Sequence, residues 1–418
     1  MQPETRAARF GPARDAQHHL TSFADVDAVL RSRDFVPAGG HRESAPFVAN
    51  SLIMLSGDPH FERRRMEAAL FARAALQEYE HEVFAPSVAT SVREAAAAGR
   101  GADGIARTNL VSLVRRTLLR ISATMAGIDH VDTPEETDRF GHFVTKLSEG
   151  TTVESSTRDH AEVVREVLAL REAFVVEFYG PSLARRQALI DAFRAGNQSR
   201  ADLPRDLTTL MLTDPKDSWD DDLPLREVTL YLTAATHTTT NATPHVVKEL
   251  ADWWAAHPED RERVEDLDFL KRAAHETLRL HLPVAALMRM AACDVTLPSG
   301  RAIADGDDVA LSIDAANRDP EVFGADADRF DPWRETPQGV KPFGFAFGGG
   351  DHMCIGRAFV TGQSRRTGDA DSTLGTIVTL LQHLYEHGME PDPKIEPVMN
   401  PAVVTDSYSS FPIVLTKA

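Results

Sequence analysis

Helical periodicity dominates the first two thirds of the chain, which argues against a plan of alternating β-α-β units. The longest such stretch runs from about Leu225 to Ala256 and stops at Pro258. Pro244 falls inside it, where the missing N–H and the ring should kink the helix or leave carbonyls without donors. Residues 59–100, 107–128, 158–196 and 263–281 carry the same spacing. Residues 21–35 read as a capped amphipathic helix, with Thr21 or Ser22 as the cap and Val26, Val29 and Leu30 on one face. After Pro283 the period becomes two, in the segments DVTLP, RAIADG and DDVALSI, with Gly and Pro between them. One more helix is expected over about 371–387, then short strands around VVTD (403–406) and PIVLT (412–416). The fold class is therefore mainly α with small β-sheets. A chain of 418 residues suffices for one large domain or for two to three smaller ones.

Two cysteines, Cys293 and Cys354, lie far apart and match neither a zinc spacing nor a disulfide framework. A reducing compartment fits them best. The first thirty residues are too polar for a signal peptide, and no stretch approaches the ~20 apolar residues of a membrane span. A soluble, cytoplasmic protein with no membrane partner is expected. The net charge of −18 argues against nucleic acid as a general partner.

The segment KPFGFAFGGGDHMCIGRAFV, residues 341–360, carries the chemistry. Cys354 stands between a glycine-rich loop and the start of an apolar helix. Backbone N–H groups in such a loop can point at a thiolate and stabilise its charge. Gly348, Gly349 and Gly350 let backbone pass close to a flat cofactor, and Gly356 removes a side chain two residues after the sulfur. Taken alone, a single cysteine is more often a buried small hydrophobe than a ligand. Three glycines are usually a flexible loop, and no Gly-Lys-Ser/Thr follows to make a phosphate loop.

The spacing of Phe347, Gly350, Cys354 and Gly356 is Phe-x-x-Gly-x-x-x-Cys-x-Gly. With Gly348 and His352, the segment resembles the haem-binding loop of the cytochrome P450 family. The resemblance covers about residues 18–418. It implies one haem-enclosing domain over 1–418, haem b (iron protoporphyrin IX) as cofactor, and Cys354 as the axial ligand of the iron. Phe347, Gly348 and Gly356 would then border the cofactor. Glu276 and Arg279, at i and i+3 in AAHETLRLHLP, resemble the family's structural anchor, with Arg329 in ADADRFDPWR as the third partner. The stretch AANRDPEVF, residues 315–323, resembles the segment before that turn. Arg289 matches a position that bonds a haem propionate, which supplies the anion a buried arginine requires. The segment GDPHFERRRMEAALF resembles a haem-contacting helix, in which His60 and Arg64 share a face and would reach the propionates. His352 is a further propionate residue, while Arg63 and Arg65 read as solvated.

Residues 230–247, LYLTAATHTTTNATPHVV, resemble the family's long central helix. Ala234 and Ala235 are its small pair and Thr238 its threonine, whose hydroxyl with ordered water would relay a proton. His237 stands where the family carries an acid. It either replaces that acid as a proton shuttle or serves a structural role. Two further departures concern the short segment before residue 21, which implies a reduced N-terminal sheet, and the polar stretch 361–373, which interrupts a helix. Arg365 and Arg366, with Arg63 and Arg65, form either a basic patch for an acidic ferredoxin or scattered surface charge. Tyr231, Ala234, Val284, Leu287 and Met288 match substrate-contacting positions.

The resemblance implies a monooxygenase of secondary metabolism that oxidises a small or mid-sized apolar molecule, with electrons from ferredoxin and ferredoxin reductase. Two alternatives stay open: a peroxide-driven enzyme, or one catalysing oxidative coupling or rearrangement; and a non-catalytic binding protein.

Overall fold

The computed structural model describes residue 13 and residues 15–38, 43–363, 372–401 and 405–417. They fall into two compact units, one of residues 1–38, 79–115 and 237–418, the other of 39–78 and 116–236. Among the described residues no helix is long and apolar enough to cross a membrane.

Seven helices matter below: α1 (Phe23–Arg31), α2 (Gly57–Glu67), α3 (Leu110–Ala126), α4 (Pro134–Thr151), α5 (His160–Phe174), α6 (Leu223–Ala256) and α7 (Leu267–Leu280). The second unit is helical. Its α4 starts on a reciprocal cap, in which the Thr133 side chain accepts from the Glu136 N–H and the Glu136 side chain accepts from the Thr133 N–H. Pro134 follows at the first helical position, where a missing N–H costs nothing. Phe140 and Phe143 of α4 meet Phe174 of α5 and Phe178, with ring centroids 5.3–6.3 Å apart. Each pair is three or four residues apart on its helix, so one apolar face forms. Burying each ring is worth roughly 1.5–3 kcal/mol.

The first unit carries the sheets. Strands β1 (His18–Leu20), β2 (Phe35–Pro37), β3 (Ala106–Asn109), β4 (Ala286–Ala291), β5 (Val295–Thr296), β6 (Ala302–Ile303), β7 (Asp308–Ser312), β8 (Met389–Pro391), β9 (Val398–Met399), β10 (Tyr408–Ser410) and β11 (Pro412–Leu415) pair in four small sheets. The largest has the order β1-β7-β4-β2, with β1 parallel to β7 and the other pairs antiparallel. Leu20, Leu311 and Phe35 from its strands pack with Val26, Val29 and Leu30 of α1 and with Phe345.

Several boundaries differ from the sequence reading. Ser22 is the cap of α1, its Oγ accepting from the Asp25 N–H at 3.3 Å, and the helix stops at Arg31 because Phe35 enters β2. Pro244 does not interrupt α6. The hydroxyl of Thr243 donates to the Thr239 carbonyl at 2.9 Å, one turn below. Residues 258–265 form a separate 3-10 turn, and α7 starts after Asp266, whose side chain caps it. The last helix spans Thr376–Glu386. The expected strand over 403–406 falls partly outside the described residues, and β9 and β10 flank it. Residues 364–371, with Arg365 and Arg366, also lie outside them.

Candidate functional site

Five successive short hydrogen bonds fold residues 341–354. Gly344 N–H reaches Lys341 O, Ala346 reaches Phe343, Gly348 reaches Phe345, Met353 reaches Gly350 and Cys354 reaches Phe347, at 2.8–3.2 Å. The loop closes on the last of these, which leaves the Cys354 side chain exposed at its mouth. Gly348 and Gly350 have φ of +66° and +60°, the left-handed region that glycine enters freely. At Gly350 space forbids a side chain too, since a Cβ would stand 1.9 Å from the Leu30 carbonyl oxygen at the end of α1. Phe347 packs edge-on against Phe343, at 5.1 Å and 86°. Gly356 ends the loop as the cap of a short helix, Arg357–Thr361. His352 is half-buried on the turn before the cysteine.

The loop is fastened to α7 through Asn317. Its Oδ1 accepts from the Phe345 N–H at 2.8 Å, and its Nδ2 donates to the Arg279 carbonyl at 3.1 Å. Arg279 is fully buried. Its Nε and Nη2 donate to Glu276 at 2.8 and 2.6 Å, and its Nη1 donates to the carbonyls of Asn317 and Ala327, each at 2.7 Å. The guanidinium lies over the Phe323 ring at 4.8 Å. The third member of this network is Arg334, not Arg329. Arg334 Nε donates to Glu276 Oε1 at 2.9 Å, and Nη1 to the Phe323 carbonyl at 2.6 Å. The turn closed by Arg329 N–H on Asp326 O leaves the Arg329 side chain exposed, and only its carbonyl joins the network, accepting from Arg334 Nη2 at 2.9 Å. Asn317 and Arg334 were both missed from sequence. The segment 315–323 had been singled out, but not the residue within it that reaches the loop.

Arg289 lies on β4, opposite Val309 of β7 and Pro37 of β2. It is 9% exposed, and its side chain donates to the carbonyl of its own neighbour Met288 at 2.8 Å. Among the described residues it has no ion pair. Burial holds its pKa below the usual arginine value, and no acid opposes that shift. A buried guanidinium without a counter-charge is unfavourable, so the position fits an external anion such as a carboxylate. Leu287 shares its strand face and stands near Gly348, where a Cβ would lie 3.6 Å from Leu287 Cδ1. Leu287 and Met288 are half-buried, and Val284 is exposed at 42%.

In the helical unit, His60 is buried and Arg64 half-buried, one turn apart on α2. Arg65 is exposed. Arg63 is not solvated, contrary to the sequence reading. It is buried over the Trp219 ring at 4.4 Å and donates to Glu227 at 2.6 Å, because its position on α2 turns it inward. Tyr231 on α6 gives its hydroxyl to Glu67. Ala234, one turn on, is exposed. Thr236 is buried, its hydroxyl 3.2 Å from Ser122 of α3. His237 and Thr238, on the α6 segment of the other unit, are half-buried.

The profile of a family described as Cytochrome P450 matches residues 185–365. Linalool 8-monooxygenase of Pseudomonas putida is 38% identical over 141 residues, 33% of this chain and 32% of that protein. Sterol 14-demethylase of Arabidopsis thaliana is 39% identical over 109 residues, 24% of this chain and 22% of that protein. The chain spans about a fifth to two fifths of the length of the curated relatives it matches. Solved structures match over nearly all of it. P450BioI, in complex with an acyl carrier protein bearing hexadec-9Z-enoic acid, aligns with a TM-score of 0.69 at 18% identity, covering 95% of this chain and 92% of that one. CalO2 aligns with a TM-score of 0.71 at 21% identity, over 96% and 90%.

A cysteine held at the mouth of a glycine loop offers a thiolate ligand, and the likeness to these structures is one of fold. Residues 185–365 match the cytochrome P450 family, and the fold of the chain is similar to that of P450BioI. Membership of that family would bring a haem, and the residues present fit one. The exposed Cys354 offers the soft anionic ligand, Gly350 allows no side chain, and Arg289 lacks the anion that a propionate would bring.

Proposed function

We propose that the chain is a single-domain, cytoplasmic haem-thiolate monooxygenase that uses haem b and molecular oxygen. It oxidises a small or mid-sized, largely apolar organic molecule, with electrons from a ferredoxin served by ferredoxin reductase. The observation that carries this reading is the pairing, in one unit, of an exposed Cys354 with a buried Arg289 that has no anionic partner among the described residues. When bound, the haem would supply the iron at which oxygen is activated. Cys354 would hold that iron through its thiolate, and Arg289, His60, Arg64 and His352 would hold the propionates. Thr238 would hold and pass a proton with ordered water. Val284, Leu287, Met288, Tyr231 and Ala234 would meet the substrate. One oxygen atom enters the substrate and the other leaves as water, consuming two electrons from the ferredoxin and two protons. The relatives include a linalool 8-monooxygenase and a sterol 14-demethylase, which supports an apolar substrate without selecting one.

A Thr238→Ala variant is expected to keep its haem spectrum yet form about a hundredfold less product per oxygen consumed, the low end of what a positioned proton donor contributes. Oxygen uptake, peroxide release and product, measured together, check this. Unchanged coupling would remove the role. His237 in place of an acid favours a second reading, a peroxide-driven enzyme. Turnover with hydrogen peroxide and none with ferredoxin would establish that reading instead.

A further inference from the structure

The face of α5 turned away from the helical core holds none of the residues assigned to haem or substrate. Val163, Val167 and Phe174 fill its inward face. A helix docked by one face usually carries charge on the other. Here the outward residues include, at helical spacing, Ala161, Val164, Leu168, Ala169 and Ala173, all exposed or half-buried. The chain stays helical past Phe174 through one π turn, Val175–Tyr179, which prolongs the stripe to Val176. Val176 is 78% exposed, the most exposed large apolar side chain among the described residues. A continuous apolar stripe of this kind marks a surface that another molecule covers.

Ala161, Val164, Arg165, Leu168, Ala169 and Glu172 line one wall of a groove of about 590 Å³, and Glu43 and Pro46 line the other. Two charges stand on the stripe. Arg165 and Glu172 are exposed, and neither has an ion pair among the described residues. They are seven residues apart, about 10 Å along the axis, so they cannot pair with each other. The nearby acids are engaged elsewhere: Glu166 pairs with Arg158 at 2.8 Å, and Glu43 faces His160 at 3.7 Å. An arginine and a glutamate placed symmetrically about an apolar centre complement the same sequence running the other way.

We propose that two copies of this chain pair antiparallel along this stripe, across a two-fold axis between Leu168 and Ala169. Such an interface uses the same patch on both copies. At the axis Leu168 meets the partner's Ala169. Three residues out, Arg165 meets the partner's Glu172, and by symmetry Glu172 meets the partner's Arg165. Four residues out, Val164 meets the partner's Ala173. Seven residues out, Ala161 meets the partner's Val176. Each apolar pair therefore sets an alanine against a bulkier side chain, which lets the two helices approach closely. A parallel pair in register would instead oppose arginine to arginine and glutamate to glutamate, which is unfavourable. A helix pair about 24 Å long buries less than the ~1,200 Å² of a stable interface, so the dimer should dissociate on dilution. The net charge of −18 on each copy also opposes association.

Sedimentation velocity of the full chain between about 1 and about 300 μM reads the pairing. The wild type is expected to pass from monomer to dimer over that range. Arg165→Glu and Glu172→Arg each set two pairs of like charges face to face, and each should weaken the dimer at least about tenfold. An equimolar mixture of the two variants restores both pairs, and a heterodimer of wild-type strength is expected. A contact elsewhere on the chain would not follow this pattern. Both side chains are exposed, so the circular dichroism of each variant should match the wild type. Val176→Asp tests the apolar contact independently and should also stay monomeric. A wild type that is monomeric throughout overturns the proposal, and so does a dimer that survives in both charge variants. Variants that remain monomeric when mixed overturn it too. The other occupant is a small apolar molecule: a monomeric wild type that binds anilinonaphthalenesulfonate, with the fluorescence lost in Leu168→Asp, assigns the groove to such a ligand and overturns the pairing. Haem enters none of these readouts, so they stand apart from the monooxygenase reading.

Discussion

Replacing Arg279 by alanine is expected to lower the unfolding free energy by about 3–5 kcal/mol, the usual penalty for removing one partner of a buried ion pair. Four hydrogen bonds are lost at once: Glu276 Oε2 and the carbonyls of Asn317 and Ala327 lose the donor from Arg279, and Glu276 Oε1 keeps only Arg334 and the Asp331 N–H. Water cannot replace them, because the side chain is fully buried. Lysine would not rescue the site, since one ammonium cannot span a carboxylate and two carbonyls in a planar fork. The network also fixes the chemistry, because Asn317 joins the Arg279 carbonyl to the Phe345 N–H of the cysteine loop. Haem retention should therefore fall together with stability. Urea unfolding of Arg279→Ala, Arg334→Ala and Arg329→Ala checks the assignment. The first two should be destabilised, and the exposed Arg329 should change stability by less than about 0.5 kcal/mol.

A single methyl group at Gly350 is expected to cost at least about 2 kcal/mol and most of the bound haem. The left-handed backbone alone charges an L-residue about 1–2 kcal/mol. The methyl would also lie 1.9 Å from the Leu30 carbonyl oxygen, a rigid helical backbone atom that no rotamer change can move. The loop must then lift from α1, and the Phe347–Cys354 hydrogen bond that presents the sulfur goes with it. Gly300→Ala is the matched comparison: it also has positive φ, at +83°, but nothing within 4 Å of the added atom. It should show the conformational cost without the loss of haem. Haem content per chain and the urea midpoint, compared between the two variants, separate strain from steric exclusion.

How much of this was legible depended on range. The Cys354 loop and the Glu276–Arg279 pair were readable because their parts lie within a few residues and a helix turn fixes their geometry. The third anchor was not. Which arginine reaches Glu276 depends on a chain reversal at Asp326–Arg329 that turns one side chain out and brings Arg334 in five residues later. Arg63 misled for a related reason. Within three successive arginines, Arg63 and Arg65 look solvated, and only the Trp219 ring and the Glu227 carboxylate, far along the chain, show that Arg63 is buried. Pro244 was expected to interrupt the long helix, but α6 runs on through it, with the Thr243 hydroxyl bonded one turn back. Arg365 and Arg366 lie outside the described residues, so the docking face for a ferredoxin remains part of the proposal.

The carbon monoxide difference spectrum of the dithionite-reduced protein tests the central claim most directly, with wild type and Cys354→Ala measured side by side. The wild type should give the band of a thiolate-ligated haem, and the variant should lose that band while Cys293→Ala keeps it. A wild type that binds haem but shows only the spectrum of a nitrogen-ligated iron, or a Cys354→Ala protein with the wild-type band, would contradict the account.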